Sequence, residues 1–318
     1  MSVVFVSLTP AQSLGIPVAL VGSVFLAIGA ELQQHGVTKV GSTAAQSRRS
    51  GLDWKQLLAL TRRPSWLLGT LLLGLAIVFQ LVSLYLAPLT VVQPLGATAL
   101  VVTALITARL SRTKLTAPAV RAILCCVGGV GLFVTVAALT TTTIPITDAQ
   151  LLIVVIILAA VLLALGAGFL FLRSRFTRMF YVVGAGVLFG FVATLAKVLM
   201  ARVQTIVRDG FHIDPADWLT LLCLLGLAAA AVLGSYFVQT AYSSGSPELV
   251  VAGLTVIDPI VGVSIGIVVL GEAAAAPIWA DVAFVVAGAI AVYGVVQLSR
   301  HQPQPAVGTE AGSSGRQM

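Results

Sequence analysis

Charge is what this 318-residue chain has least of: Asp, Glu, Lys and Arg together make up 9% of it, against roughly 25% in an ordinary soluble domain. Hydrophobic residues make up 58%, and the mean hydropathy is +1.06. A water-soluble fold of this size cannot hide that much apolar surface, because compact folds still leave most of their polar groups outside. A soluble enzyme, a nucleic-acid binder and a secreted scaffold are therefore excluded. Cysteine is also scarce. Cys125 and Cys126 are neighbours and Cys223 stands alone, a spacing that makes neither a disulfide framework nor a metal-ligand set. All three read as small buried hydrophobes. The three histidines are scattered, and no Walker A loop, HExxH, EF-hand or Ser/His/Asp set appears. No enzyme chemistry, no cofactor, no metal-ligand set and no direct drive by ATP are expected. The formal charge of +7 is not gathered into a polar, aromatic-interleaved region, so nucleic acid is not an expected partner. Residues 1–11 carry no basic residue, unlike a signal peptide, and the first apolar run is expected to stay as an anchor.

What the chain has in abundance is long apolar runs. About 20 mostly apolar residues cross a bilayer as a helix, and nine runs qualify: 14–34, 65–86, 89–109, 119–139, 150–172, 180–204, 218–241, 249–270 and 278–298. This predicts an all-α membrane protein of nine transmembrane helices, with the bilayer as its surroundings. Pro88, Pro145, Pro247 and Pro277 fall in the expected connections, where a missing N–H costs least. Residues 1–300 form one transmembrane domain, and 301–318, rich in Gln, Pro, Gly and Ser, read as a disordered cytoplasmic tail. Nine spans put fifteen of the eighteen basic residues on one side, among them Lys39, Arg62, Arg63, Arg112, Lys114, Arg173 and Arg300. The positive-inside rule then places the N-terminus outside and the C-terminus in the cytoplasm, with the chain in the cell (cytoplasmic) membrane.

The runs also contain an internal echo. Leu89-Thr90-Val91-Val92-Gln93-Pro94 in the third run matches Leu254-Thr255-Val256-Ile257-Asp258-Pro259 in the eighth at four of six positions. Gly22-Ser23-Val24-Phe25 in the first matches Gly186-Val187-Leu188-Phe189 in the sixth. Both pairs share an offset of about 165 residues, which spans five helices. An odd number of helices turns the second copy upside down. Spans one to four (about 14–139) and six to nine (about 180–298) are thus expected to form an inverted repeat linked by span five. That is an architecture of secondary transporters, which hold the solute near the midplane between the halves.

Residues 87–97, Ala-Pro-Leu-Thr-Val-Val-Gln-Pro-Leu-Gly-Ala, resemble the signature hairpin of NIPA-type magnesium transporters, a branch of the drug/metabolite transporter superfamily. The stretch from Asp258-Pro259 to Gly271-Glu272 is similar to the proline and Gly-Glu that close the corresponding helix in EamA-type members, and the placement of Lys197 looks like a NIPA feature. The resemblance covers about residues 14–298. It implies a carrier working by alternating access, with helices one, three, six and eight around the path.

A charge at the bilayer centre costs about 2.5–3.5 kcal/mol on insertion scales, so each one needs a reason. Lys197 shares a helical face with Gly190, Ala193, Thr194 and Ala201; Asp258 shares one with Thr255, Gly262 and Gly266. Small-residue faces point at neighbouring helices or a cavity rather than lipid. Lys197 and Asp258, the two deepest charges of opposite sign, are expected on the path and able to pair. Gln93 is the first-half counterpart of Asp258, and Gln33 is the rough counterpart of Lys197. With Thr90, Thr255, Pro94 and Pro259 they complete the expected path, while Gln80, Gln239 and Glu31 are secondary candidates. Amides at such positions also serve as glue between helices, and Glu31 has His35 four residues on as a simple helical partner.

The reading that follows is a secondary transporter that moves a small polar or amphipathic solute, with protons a candidate coupling ion through Asp258 or Lys197. Three alternatives stay open: a NIPA-like magnesium or divalent-cation permease, a lipid-linked precursor flippase, and a membrane scaffold that transports nothing. Carboxylates bear on the first of these. Only Asp258 lies deep in a run, and the family's acidic residue and asparagine of helix two are matched here by Leu75 and Val78.

Overall fold

The computed structural model describes residues 9–41, 64–110, 115–142, 144–171, 178–208, 217–244 and 247–300. They form ten helices: α1 (Pro10–Gly41), α2 (Pro64–Leu86), α3 (Leu89–Leu95), α4 (Thr98–Leu110), α5 (Ala117–Thr140), α6 (Asp148–Phe171), α7 (Arg178–Arg208), α8 (Asp217–Ser244), α9 (Pro247–Val268) and α10 (Ile278–Arg300). Among the described residues there is no strand, and nine segments are long and apolar enough to span a membrane. Helix is the form such segments must take. Hydrocarbon offers no water to the backbone, so each segment has to close its own hydrogen bonds. The membrane-spanning class expected from the sequence is the one observed.

Two local expectations are corrected. The third run, 89–109, is not one continuous helix. Pro94 brings no N–H to the carbonyl four residues back, and the chain tightens into i→i−3 bonds: Gly96 N to Gln93 O and Ala97 N to Pro94 O, both 3.2 Å. The span therefore breaks at Gly96-Ala97, in mid-membrane, into α3 and α4. Pro247 lies not in a connection but at the start of α9, where its missing N–H has no helical acceptor in any case. The tail 301–318 and most of the basic connections lie outside the described residues.

Helices pair in a repeating way. α1 packs along α2 as α7 packs along α8; α1 leans on α3 and α4 as α7 leans on α9; α5 and α10 pack together between the two sets. Glycines permit the closest approaches. A Cβ on Gly129 would strike the backbone of Ala291, and one on Gly294 would strike the backbone of Cys126, so α5 and α10 touch main chain to main chain. Gly186 and Gly190 of α7 instead receive the branched side chains of Ile257 and Val261 of α9. Such small-residue contacts are how membrane helices gain packing energy where lipid removes the hydrophobic incentive. α6 packs on α7 and α8 at the periphery and leaves residues such as Ile156 and Leu163 exposed, as a lipid-facing helix does.

The two sets of helices meet unevenly. α2 and α3 are tied to α7 and α9 around the tight Ala87-Pro88 hairpin, whereas α1 makes no substantial contact with α7, α8 or α9 among the described residues. The hairpin end is closed around buried Ala87, Pro88 and Leu89, while the α1 side of the bundle stands apart from α7, α8 and α9.

Candidate transport cavity

The parting leaves a cavity of about 480 Å³ at mid-span. α1 contributes Gly22 and Ser23, α2 contributes Gln80 and Leu84, α3 contributes Gln93, α7 contributes Phe189 and Ala193, and α9 contributes Thr255, Asp258 and Pro259. Each polar wall residue is there for a local reason. Ser23 is buried where α1 crosses the end of α3, and its hydroxyl lies 3.0 Å from Ala19 O and 3.1 Å from Leu95 O. The Thr255 hydroxyl donates to Val251 O at 2.8 Å within its own helix. Gln93 stands in the last turn before the break in the third span, and Gly262 of α9 makes room for its amide.

Asp258 and Gln93 carry the cavity's unspent hydrogen-bonding capacity. Their side chains lie against each other on its wall, and within that contact Asp258 Oδ1 and Gln93 Nε2 are buried without a hydrogen bond of good geometry to any protein group. Buried polar atoms are ordinarily paired, and one carboxylate oxygen left bare carries a penalty of a few kcal/mol. An acceptor with a formal charge beside an unused donor is a site that a solute bearing both a cationic donor and an acceptor satisfies.

A family model for the magnesium transporter NIPA matches residues 11–211, well over half of the chain. The chain belongs to this family. NIPA proteins are membrane transporters and not enzymes, and the nine apolar spans make this NIPA-family chain a multi-pass membrane protein. It is also similar to an uncharacterized protein of Corynebacterium glutamicum, 31% identical over 121 residues that make up 38% of this chain and 39% of that protein. No solved structure matches the chain. The NIPA match ends before α9, so Asp258 lies beyond it.

Of the expected path residues, this NIPA-family chain brings Gln93, Asp258, Thr255 and Pro259 together, with Gln80 among the secondary candidates. Others stand elsewhere. Pro94 backs onto a separate apolar pocket of about 90 Å³ beside Val130 and Phe133. Glu31 lies outside the cavity walls on α1. The side chains of Gln33, His35 and Gln239 lie outside the described residues. Lys197 and Asp258, whose pairing the sequence left open, are not paired here. The Lys197 ammonium donates instead to Leu84 O at 2.5 Å and Ala87 O at 2.6 Å, the backbone carbonyls at the end of α2, and the carboxylate whose charge acts on it is that of Glu272. The helices of Lys197 and Asp258 both line the central cavity, but Lys197 itself lines a different one, and similar depth does not bring the two side chains together.

Thr90 is drawn to the same hairpin and away from the cavity. Glu272 accepts from Leu89 N at 2.7 Å, Thr90 N at 2.8 Å and the Thr90 hydroxyl at 2.6 Å. These are free N–H groups at the start of a helix, where a carboxylate is favoured. Gly271 sets up the contact. Its φ of +71° is left-handed backbone that glycine enters at little cost, and it turns the chain so that Glu272 N donates to Gly266 O at 3.0 Å. Glu272 is the residue sequence reasoning missed as a functional partner. The Gly-Glu and Pro-Leu-Thr signals were both visible, but nothing local links residues 182 positions apart.

Among the described residues no three Asp, Glu, His or Cys side chains converge as a metal site would require. The chemistry on offer is one carboxylate, a few amides and hydroxyls, and apolar walls.

Proposed function

We propose that this chain is a secondary transporter of the cell membrane that carries a small polar solute with a cationic group by alternating access, with Asp258 and Gln93 as the solute-binding pair. The observation that carries this reading is the unpartnered Asp258 Oδ1 and Gln93 Nε2 on the walls of a mid-span cavity. The single negative charge selects for a cation, the amide takes an acceptor on the same solute, and Phe189, Leu81 and Leu254 suit an apolar body. The paired way in which the helices pack supports an inverted repeat, the architecture on which alternating access runs. The positive-inside count supports placing the hairpin end outside, so that the end closed here is the outer one. Asp258 is also the group through which protons would couple.

A second reading, a magnesium permease, is favoured by the family match. Magnesium gives up its water reluctantly and binds through one or two carboxylates while keeping several waters, and the cavity has room for a hydrated ion held by Asp258 and the amides. Uptake into proteoliposomes separates the two. A panel of small ammonium compounds and Mg²⁺, each tested with and without a pH gradient, is expected to give saturable uptake of an ammonium compound. Saturable uptake of Mg²⁺ alone would select the second reading, and no uptake of either would overturn the proposal.

A further inference from the structure

The closed end of the bundle holds two buried charges that the solute site does not use. Lys197 and Glu272, each 4% exposed, clasp the Ala87-Pro88 hairpin from opposite sides. Lys197 takes the carbonyls where α2 ends and Glu272 takes the N–H groups where α3 begins. The hairpin itself is fully enclosed, with Ala87 and Leu89 at 0% exposure.

The two clasps differ in how they are built. Glu272 makes three bonds through one carboxylate, and its own backbone is stitched twice more, by Glu272 N to Gly266 O and by Thr142 N to Glu272 O. Lys197 hydrogen-bonds two neutral carbonyls, with the charge of Glu272 acting on it from nearby. It also stands on the wall of a second cavity, of about 330 Å³, shared with Tyr85, Arg202 and Thr205. The polar part of that space, at Tyr85, Arg202, Gln204 and Thr205, can supply water to the ammonium once the carbonyls withdraw, which lowers the cost of letting go. Leu84 lines this outer cavity and the central one alike, so its side chain is part of the partition between them.

We propose that Lys197 and Leu84 form the gate at the hairpin end, with Lys197 as its releasable latch and Glu272 as the fixed hinge about which the hairpin moves. The proposal rests on the carrier reading above for its purpose. When the end of α2 swings from α7, the Lys197 hydrogen bonds pass from the carbonyls to water, Leu84 withdraws, and the two cavities become one path. Lys197 acts by positioning the hairpin and does not touch the solute.

The test is side-specific labelling, which needs no transport. A single cysteine is placed on the central cavity wall by Ala193→Cys, in full-length protein whose Cys125, Cys126 and Cys223 are replaced by alanine. A membrane-impermeant thiol reagent is then applied from the hairpin face or from the opposite face. Lys197→Met is expected to raise the labelling rate from the hairpin face by about tenfold or more, the factor that loss of one hydrogen bond to a charged group gives, and to lower it from the other face. Lys197→Arg is expected to hold the rate near that of the parent. Should Lys197→Met not fold, Leu84→Ala decides, since it keeps the backbone carbonyl and removes the partition; a rise from the hairpin face supports the gate. An unchanged hairpin-face rate in Lys197→Met, or in Leu84→Ala where that variant decides, overturns the proposal. A rise in a protein that transports nothing would sink the carrier reading and leave the gate. Transport with unchanged labelling would sink the gate alone.

Discussion

Replacing Glu272 with glutamine is expected to harm this fold nearly as much as replacing it with alanine. Both carboxylate oxygens accept, one from Leu89 N and the other from Thr90 N and the Thr90 hydroxyl. An amide of the same shape offers one acceptor and sets an NH₂ group against N–H donors that have no other place to turn. Hydrogen bonds to a charged acceptor contribute about 1.5–3 kcal/mol each in soluble proteins, and polar contacts within membranes contribute less, about 0.6–2 kcal/mol. Removing the buried charge also relieves part of its own desolvation cost. Three bonds on this scale give a net loss of about 2–4 kcal/mol. At a few degrees per kcal/mol, the unfolding temperature should fall by roughly 5–10 °C in both Glu272→Gln and Glu272→Ala. The protein carries its own reporters. Cys126 and Cys223 are free and buried, so a thiol-reactive fluorophore added to detergent-solubilised protein reads unfolding as they emerge. If Glu272→Gln melts within about 2 °C of wild type while Glu272→Ala falls, the carboxylate is a simple spacer and the two-oxygen clasp is wrong.

Adjacent glycines should behave oppositely. Gly128 faces open space, whereas a Cβ on Gly129 meets the backbone of Ala291. Gly129→Ala should therefore cost about 1–3 kcal/mol as overpacking, and Gly128→Ala should be neutral or stabilising by up to about 1 kcal/mol; paired melting curves check both. Gly262→Ala would press on the flexible amide of Gln93. It should change the KM of the transported solute severalfold while leaving the melting temperature near wild type, and an unchanged KM would count against Gln93 as a contact.

Composition alone made the membrane class legible, because nine apolar runs leave a chain few other ways to hide its backbone. The ends of most helices were legible for the same reason. The break at Gly96-Ala97 was half visible: Pro94 signalled a lost bond, but whether a proline kinks a helix or splits it depends on what packs around it. In α9 the equivalent Pro259 stays within one helix. The central site was legible in part, since the echo of Gln93-Pro94 in Asp258-Pro259 singled out two residues that the fold sets face to face. Whether Lys197 and Asp258 pair was not legible, because sequence gives depth along a helix and not direction around the bundle. Glu272, near the end of a run, gave no sign that its partners were the N–H groups of Leu89 and Thr90, which belong to a hairpin in the other half of the chain.

Solute counterflow into proteoliposomes by wild type and Asp258→Asn tests the central claim most directly. Asparagine keeps the shape and removes a buried charge that has one oxygen unpaired, so this variant should fold at least as stably as wild type while losing uptake by about a hundredfold or more, the loss of an interaction of about 2.7 kcal/mol. Undiminished uptake by a well-folded Asp258→Asn would contradict the account.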